Sequence, residues 1–163
     1  MLNPYEKVLG GRDAQEIISG TPTKLGAIFN HFGPDGVERS PAPGKWSARE
    51  IFCHLADCEI TFAFRLRQAL AEENHVIQPF DQEKWATTYE AYDAPSALAV
   101  FSSIRRWNLA LIRSRSQADQ EKQVTHPERG TMTFRTIVET MAGHDLNHLQ
   151  QLEGIASKNT STI

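Results

Sequence analysis

The sequence predicts an all-α protein, a four-helix bundle with long connections, folded as a single domain over residues 1–163. Three observations predict it. Four long segments carry helix start and stop signals, the later ones hold apolar residues in helical period, and no segment alternates as a strand does. A chain of 163 residues also suffices for one proper core and is short for two.

The first long helix is expected from Thr21 as N-cap, with Pro22 in its first turn and a stop at Gly33-Pro34. A short helix over Asp13–Ser19 precedes it. The second runs from about Ser47 to about Glu73: Ser47 and Glu50 have capping-box spacing, and Trp46 and Ile51 occupy the staple positions. Asp93 caps the third, "APSALAVFSSIRRWNLALIRS", with apolar residues at 98, 101, 104, 111 and 112 and Asn108 in the same stripe. Thr133 caps the fourth, where Met132 and Ile137 repeat the staple spacing. The linkers "GPDGVERSPAPG", "NHVIQPFDQEKWATTYEAY" and "SQADQEKQVTHPERG" are long for an up-and-down bundle, so helical turns or packed loops should fill them.

Charge and composition exclude several function classes. The net charge is -3, with Lys and Arg scattered, which gives no footprint for nucleic acid or an anionic membrane surface. The opening "MLNPYEKVLGG" has no apolar signal-like core, and no run approaches the ~20 apolar residues that span a bilayer. A cytoplasmic protein is expected. Cys53 and Cys58 point in different directions from one helix and cannot bridge each other, which agrees with a reducing compartment.

In the fourth helix the stripe Phe134, Ile137, Met141, Leu152, Ile155 is interrupted by His144 and His148 at two core positions. A four-residue step stacks two side chains at ~5–6 Å, so both imidazoles can reach one metal ion. Each costs ~1–3 kcal/mol unless it finds a partner, and a shared cation satisfies both. Two hydrogen-bonded core histidines are the alternative. His54, two turns into the second helix, is the best third donor, whereas His31, His75 and His126 are expected in solvent. Cys58, one turn after His54, would add a fourth ligand and close the site. Asp57 would hold a ligand imidazole in its tautomer. No H-E-x-x-H occurs, which excludes the zincin-type protease, and E-x-x-H occurs once, at Glu72–His75, where the di-iron carboxylate bundle needs two.

Three neutral imidazoles leave a divalent ion's charge uncompensated and a position open, where a water or thiol is deprotonated near neutral pH. Hydrolysis or thiol transfer follows. Two other classes remain: a structural clip in a protein that binds a partner through "RRWNLALIR" with Trp107 as anchor, and a non-catalytic small-molecule sequestering protein.

The "W-S-x-R-E" helix start leading into "HLAD", then "HPERGTMT" and a last helix with "H-x-x-x-H-L", resembles the DinB-like superfamily of metal-binding four-helix bundles. The stretch "IQPFDQEKW" is similar to its YfiT branch of metal-dependent hydrolases and bacillithiol S-transferases. The resemblance covers the chain from the Thr21 helix to about Ile155. It implies one divalent metal per chain, nickel or zinc with manganese as a further option, held by three histidines that map onto His54, His144 and His148. Relatives often carry more histidines around the last pair, where this chain has Asn147 and Gln150–Gln151. The resemblance favours thiol transfer, with a low-molecular-weight thiol and an electrophile as substrates, and a homodimer as the assembly. Arg65, Arg105 and Asn108 are then candidates to bind carboxylates of such a thiol. Placement of the arginines at the surface or rim is the alternative.

Overall fold

A single turn, α1 (Glu6–Leu9), precedes the first long helix, α2 (Ala14–Glu38), in the computed structural model, which describes residues 2–160. Asp13 caps α2 by accepting from the Glu16 N–H at 2.9 Å. Thr21 is therefore not the cap. It lies buried inside a continuous helix, its hydroxyl donating to the Ile17 carbonyl at 2.9 Å, and Pro22 is an interior proline. Proline has no N–H for the carbonyl four residues back, here that of Ile18. That carbonyl instead accepts from the Arg105 guanidinium at 3.1 Å, so a partner from another helix lets α2 run through the proline. The expected break does occur further on, at Gly33, whose φ of 65° is the left-handed value glycine tolerates.

The second long helix, α3 (Ala48–Ala71), opens on the expected capping box: the Ser47 hydroxyl accepts from the Glu50 N–H at 3.3 Å, and the Glu50 carboxylate accepts from the Ser47 N–H at 2.7 Å. The following connection contains α4 (Gln82–Ala86) and a 3₁₀ turn over Tyr89–Ala91. Asp93 caps α5 (Ala94–Arg113) through the Ser96 N–H at 2.6 Å. Next come α6 (Gln117–Gln120), strands β1 (Gln123–His126) and β2 (Gly130–Thr133), and the last long helix, α7 (Phe134–Thr160). Thr133 and Thr136 exchange the capping bonds at the start of α7, with side-chain oxygens accepting from both backbone N–H groups.

The four long helices form the expected bundle, and a short two-stranded hairpin accompanies them. β1 and β2 pair antiparallel as a hairpin, with Val124 opposite Met132, and Ile77 and Thr125 continue the pairing into the α3–α4 connection. Four-residue strands are too short to show alternation convincingly, and Val124 and Met132 are the buried side chains that hold this pair against α7.

The long helices pack in the cyclic order α2, α5, α3, α7, so α2 and α3, consecutive in sequence, lie on a diagonal. Chain crossings over the bundle ends explain the long linkers. Apolar side chains gather in two clusters, one around Leu66, Ile112 and Met141, the other around Leu25, Phe52 and Leu152. Between them lies a buried polar layer containing His54, Glu59, Arg105, Asn108, His144, Asp145 and His148.

Candidate metal centre

The expected helical steps bring the histidines together. His54 on α3 and His144 and His148 on α7 have ring centroids 4.5 to 5.1 Å apart in all three pairings. The Nε2 atoms of His54 and His144 are 3.1 Å apart. Cys58, one turn after His54, places its Sγ 3.5 Å from the His54 Nε2. A tetrahedral zinc site separates two imidazole nitrogens by about 3.3 Å and a nitrogen from a sulfur by about 3.6 Å. The donor set therefore fits a divalent metal. Among the described residues the His54, Cys58 and His144 donors all lie within 4.8 Å of one another. His148 completes the trio by ring contact, and its Nδ1 is paired at 2.9 Å with the Oε1 of Gln151. With Nδ1–H donating, Nε2 keeps its lone pair.

All three imidazoles are held neutral. Burial, reinforced by the neighbouring His148, lowers the His54 pKa to about 3. Burial also lowers His144 well below the ordinary histidine value, and burial lowers His148. Aromatic rings enclose the cluster: Trp46 packs 5.0 Å from His54, and Tyr5 and Phe62 meet His144 edge-on at 5.6 and 5.9 Å. Tyr5 can approach because residue 143 is glycine; a Cβ there would lie 2.3 Å from the Tyr5 Cβ.

A cleft of about 210 Å³ opens beside the cluster, lined by Tyr5, Cys58, Arg65, His126, Arg129 and His144 among others. Arg65 is thus placed in the same cleft as His144. Arg105 and Asn108 are not. Arg105 is 1% exposed, binds both oxygens of Asp145, and donates to Glu59 at 2.7 Å; Asn108 donates to the other Glu59 oxygen at 2.8 Å. The terminal nitrogens of Arg105 are engaged by protein carboxylates and the Ile18 carbonyl, its Nε has no hydrogen-bond partner among the described residues, and its burial corrects the expectation of a rim arginine. Asp57 hydrogen-bonds no imidazole among the described residues. It lies on the other side of α3, in a shallow pocket with Cys53, Ile60 and Val100, beside Tyr89.

His31 is exposed, as expected. His126 is 3% exposed, contrary to the expectation of a solvated loop residue: β1 turns it inward, and its Nδ1 accepts from the Glu128 N–H at 3.2 Å. His75 is half-buried and pairs with Glu72 at 2.6 Å. The inward turn of His126 depends on the hairpin, which the sequence did not reveal.

Residues 18–152 match the sequence model of the DinB superfamily. The chain belongs to this superfamily. Among DinB-like relatives, a protein of Oceanobacillus iheyensis is 30% identical over 124 residues, covering 75% of this chain and 72% of that protein. One from Bacillus mycoides is 23% identical over 142 residues, 86% of this chain and 82% of its own. Both bear the provisional name of metal-dependent hydrolase. YfiT from Bacillus subtilis, provisionally described as a metal-dependent hydrolase with an unusual four-helix-bundle topology, matches with a TM-score of 0.83 at 19% identity. The match covers 90% of this chain and 86% of YfiT, and shows that the two share a fold.

Proposed function

We propose that this DinB-superfamily chain is a metal-dependent enzyme in which His54, His144 and His148 hold one nickel or zinc ion, and that it transfers a low-molecular-weight thiol to an electrophile. The observation that carries the reading is the convergence of three neutral imidazoles from two helices beside an open cleft. A divalent ion held by neutral ligands supplies uncompensated positive charge, which favours the deprotonated form of a thiol or water at an open position.

The chain's own residues support thiol transfer over hydrolysis. A water nucleophile is helped by a base within hydrogen-bond reach, yet Glu59 and Asp145 are engaged by Arg105, and Asp57 lies on another side of α3. Glu128, the carboxylate among the cleft-lining residues, is exposed. A thiol, with an ordinary pKa of about 8.5, needs no such base. Tyr5, Phe62 and Trp46 shield the imidazoles from bulk water, and Gln151 keeps His148 in one tautomer.

The Cys58 Sγ at 3.5 Å from His54 favours a second reading, a closed structural site with four protein ligands. Cobalt substitution separates the two. An open site gains a sulfur-to-cobalt charge-transfer band when 2-mercaptoethanol is added, and the metal-loaded protein accelerates thiol conjugation to monobromobimane; His148→Ala does neither. If Cys58→Ser abolishes metal binding as completely as His148→Ala, and thiol adds no band, the closed site is correct.

A further inference from the structure

The outward side of α3 and α5 is an apolar face that no element covers among the described residues. Ile60 and Phe64 on α3, Val100 and Trp107 on α5, and Tyr92 just before α5 are all exposed, Phe64 at 63% and Trp107 at 69%. They form one patch. A step of four on α3 and of seven on α5 returns to the same side of each helix, and Ile60, Val100 and Tyr92 line one shallow pocket of about 170 Å³. The two helices run side by side in the same direction, with Cys53 and Ala97 sharing that pocket at one end and Arg67 bonded to Asn108 at the other. Neither helix carries a lysine, and α5 carries no carboxylate. Interface cores show the same bias, rich in aromatics and poor in lysine and glutamate. Aromatic side chains present about 150–250 Å² each, so the patch exposes on the order of 500 Å², against about 800 Å² per partner in a standard interface. A polar rim around the patch supplies the difference.

We propose that this face docks a second copy of the chain, with α3 antiparallel to its counterpart about a two-fold axis level with Phe62. A two-fold contact uses the same patch twice, so residues equidistant from the axis meet. Ile60 then packs on Phe64 of the second copy, and Val100 and Trp107 flank that contact from α5. Charge selects this occupant and this direction. Asp57 and Arg67 lie five residues to either side of position 62. Neither forms an ion pair among the described residues, and Arg67 bonds only the Ala63 carbonyl and the Asn108 side-chain oxygen. The antiparallel register brings each Asp57 to Arg67 of the other copy, whereas a parallel one sets aspartate on aspartate and arginine on arginine. The metal centre stays open in such a dimer, because Cys58, Phe62 and Arg65 line its cleft from another side of α3. The proposal requires neither the metal nor thiol transfer.

The test is analytical ultracentrifugation of the tag-free full chain at tens of micromolar. The wild type should sediment as a dimer. Phe64→Glu and Trp107→Glu, at exposed positions where the circular-dichroism spectrum should not change, should each raise the dissociation constant at least about thirtyfold. Asp57→Arg alone and Arg67→Asp alone each place like charges across the two-fold and should weaken the dimer at least about tenfold. Mixed in equal amounts, these two variants should associate with near wild-type affinity, because each cross-contact then pairs an arginine with an aspartate. Mixing cannot repair a fold defect, so this recovery reports the contact itself. A monomeric wild type overturns the proposal, and so does a dimer that survives both Phe64→Glu and Trp107→Glu. Failure of the mixed charge variants to associate overturns the antiparallel arrangement.

Discussion

Gln151 accepts a hydrogen bond from the Nδ1 of His148 at 2.9 Å and so decides which nitrogen of that ring offers a lone pair. Gln151→Leu should weaken metal affinity by about 10–100-fold without unfolding α7, as read by competition with a chromophoric chelator; unchanged affinity would show that Gln151 plays no such part. At this scale the sequence was informative where spacing on one helix decides the neighbour. His144 and His148 four apart, and Cys58 four after His54, meet as helical geometry requires. Gln151 three after His148 obeys the same geometry, but a polar pair at that spacing is common on exposed faces. Arg105 was illegible for a different reason. Its compensating carboxylates, Glu59 and Asp145, are 46 and 40 residues away, and nothing local distinguishes it from a rim arginine.

Among the elements, the helix starts at Ser47, Asp93 and Thr133 were legible because capping is a short-range bond between residues three apart. Thr21-Pro22 carried the same signature and misled. The missing N–H of Pro22 is tolerated in mid-helix because Arg105, on α5, takes the Ile18 carbonyl, a tertiary fact. The contact of α1 with α7 has a direct test in Gly143. A Cβ at that position would meet the Tyr5 Cβ at 2.3 Å, so Gly143→Ala must push α1 off α7 and Tyr5 off His144. The expected loss is about 1–3 kcal/mol of stability, against the small gain alanine brings to a helix that nothing crowds. A denaturant midpoint at or above wild type would contradict the packing described.

For the molecule as a whole, Arg105 joins the four long helices: it lies on α5 and binds Ile18 on α2, Glu59 on α3 and Asp145 on α7. Arg105→Met leaves two buried carboxylates unpaired and should cost about 3–5 kcal/mol in unfolding free energy, whether or not metal is present. Wild-type stability in that variant would return Arg105 to a ligand-binding role. The buried imidazoles add a pH dependence. Their folded pKa values lie below the unfolded value of about 6.5, His54 at about 3, so in between the unfolded chain binds more protons. Stability of the metal-free protein should therefore fall as pH drops through about 6.5 toward 3, and replacing the three histidines with glutamine should flatten the histidine part of the urea-midpoint profile. A profile equally steep in both proteins would contradict neutral burial. The central claim, an open site of three histidines, is tested most directly by X-ray absorption on tag-free protein together with metal quantification. The account predicts one nickel or zinc ion per chain, an imidazole-dominated first coordination sphere without sulfur, and a sulfur scatterer that enters when a thiol is added. A protein sulfur already bound before any thiol, or no stoichiometric metal after reconstitution with nickel, zinc and manganese, would contradict it.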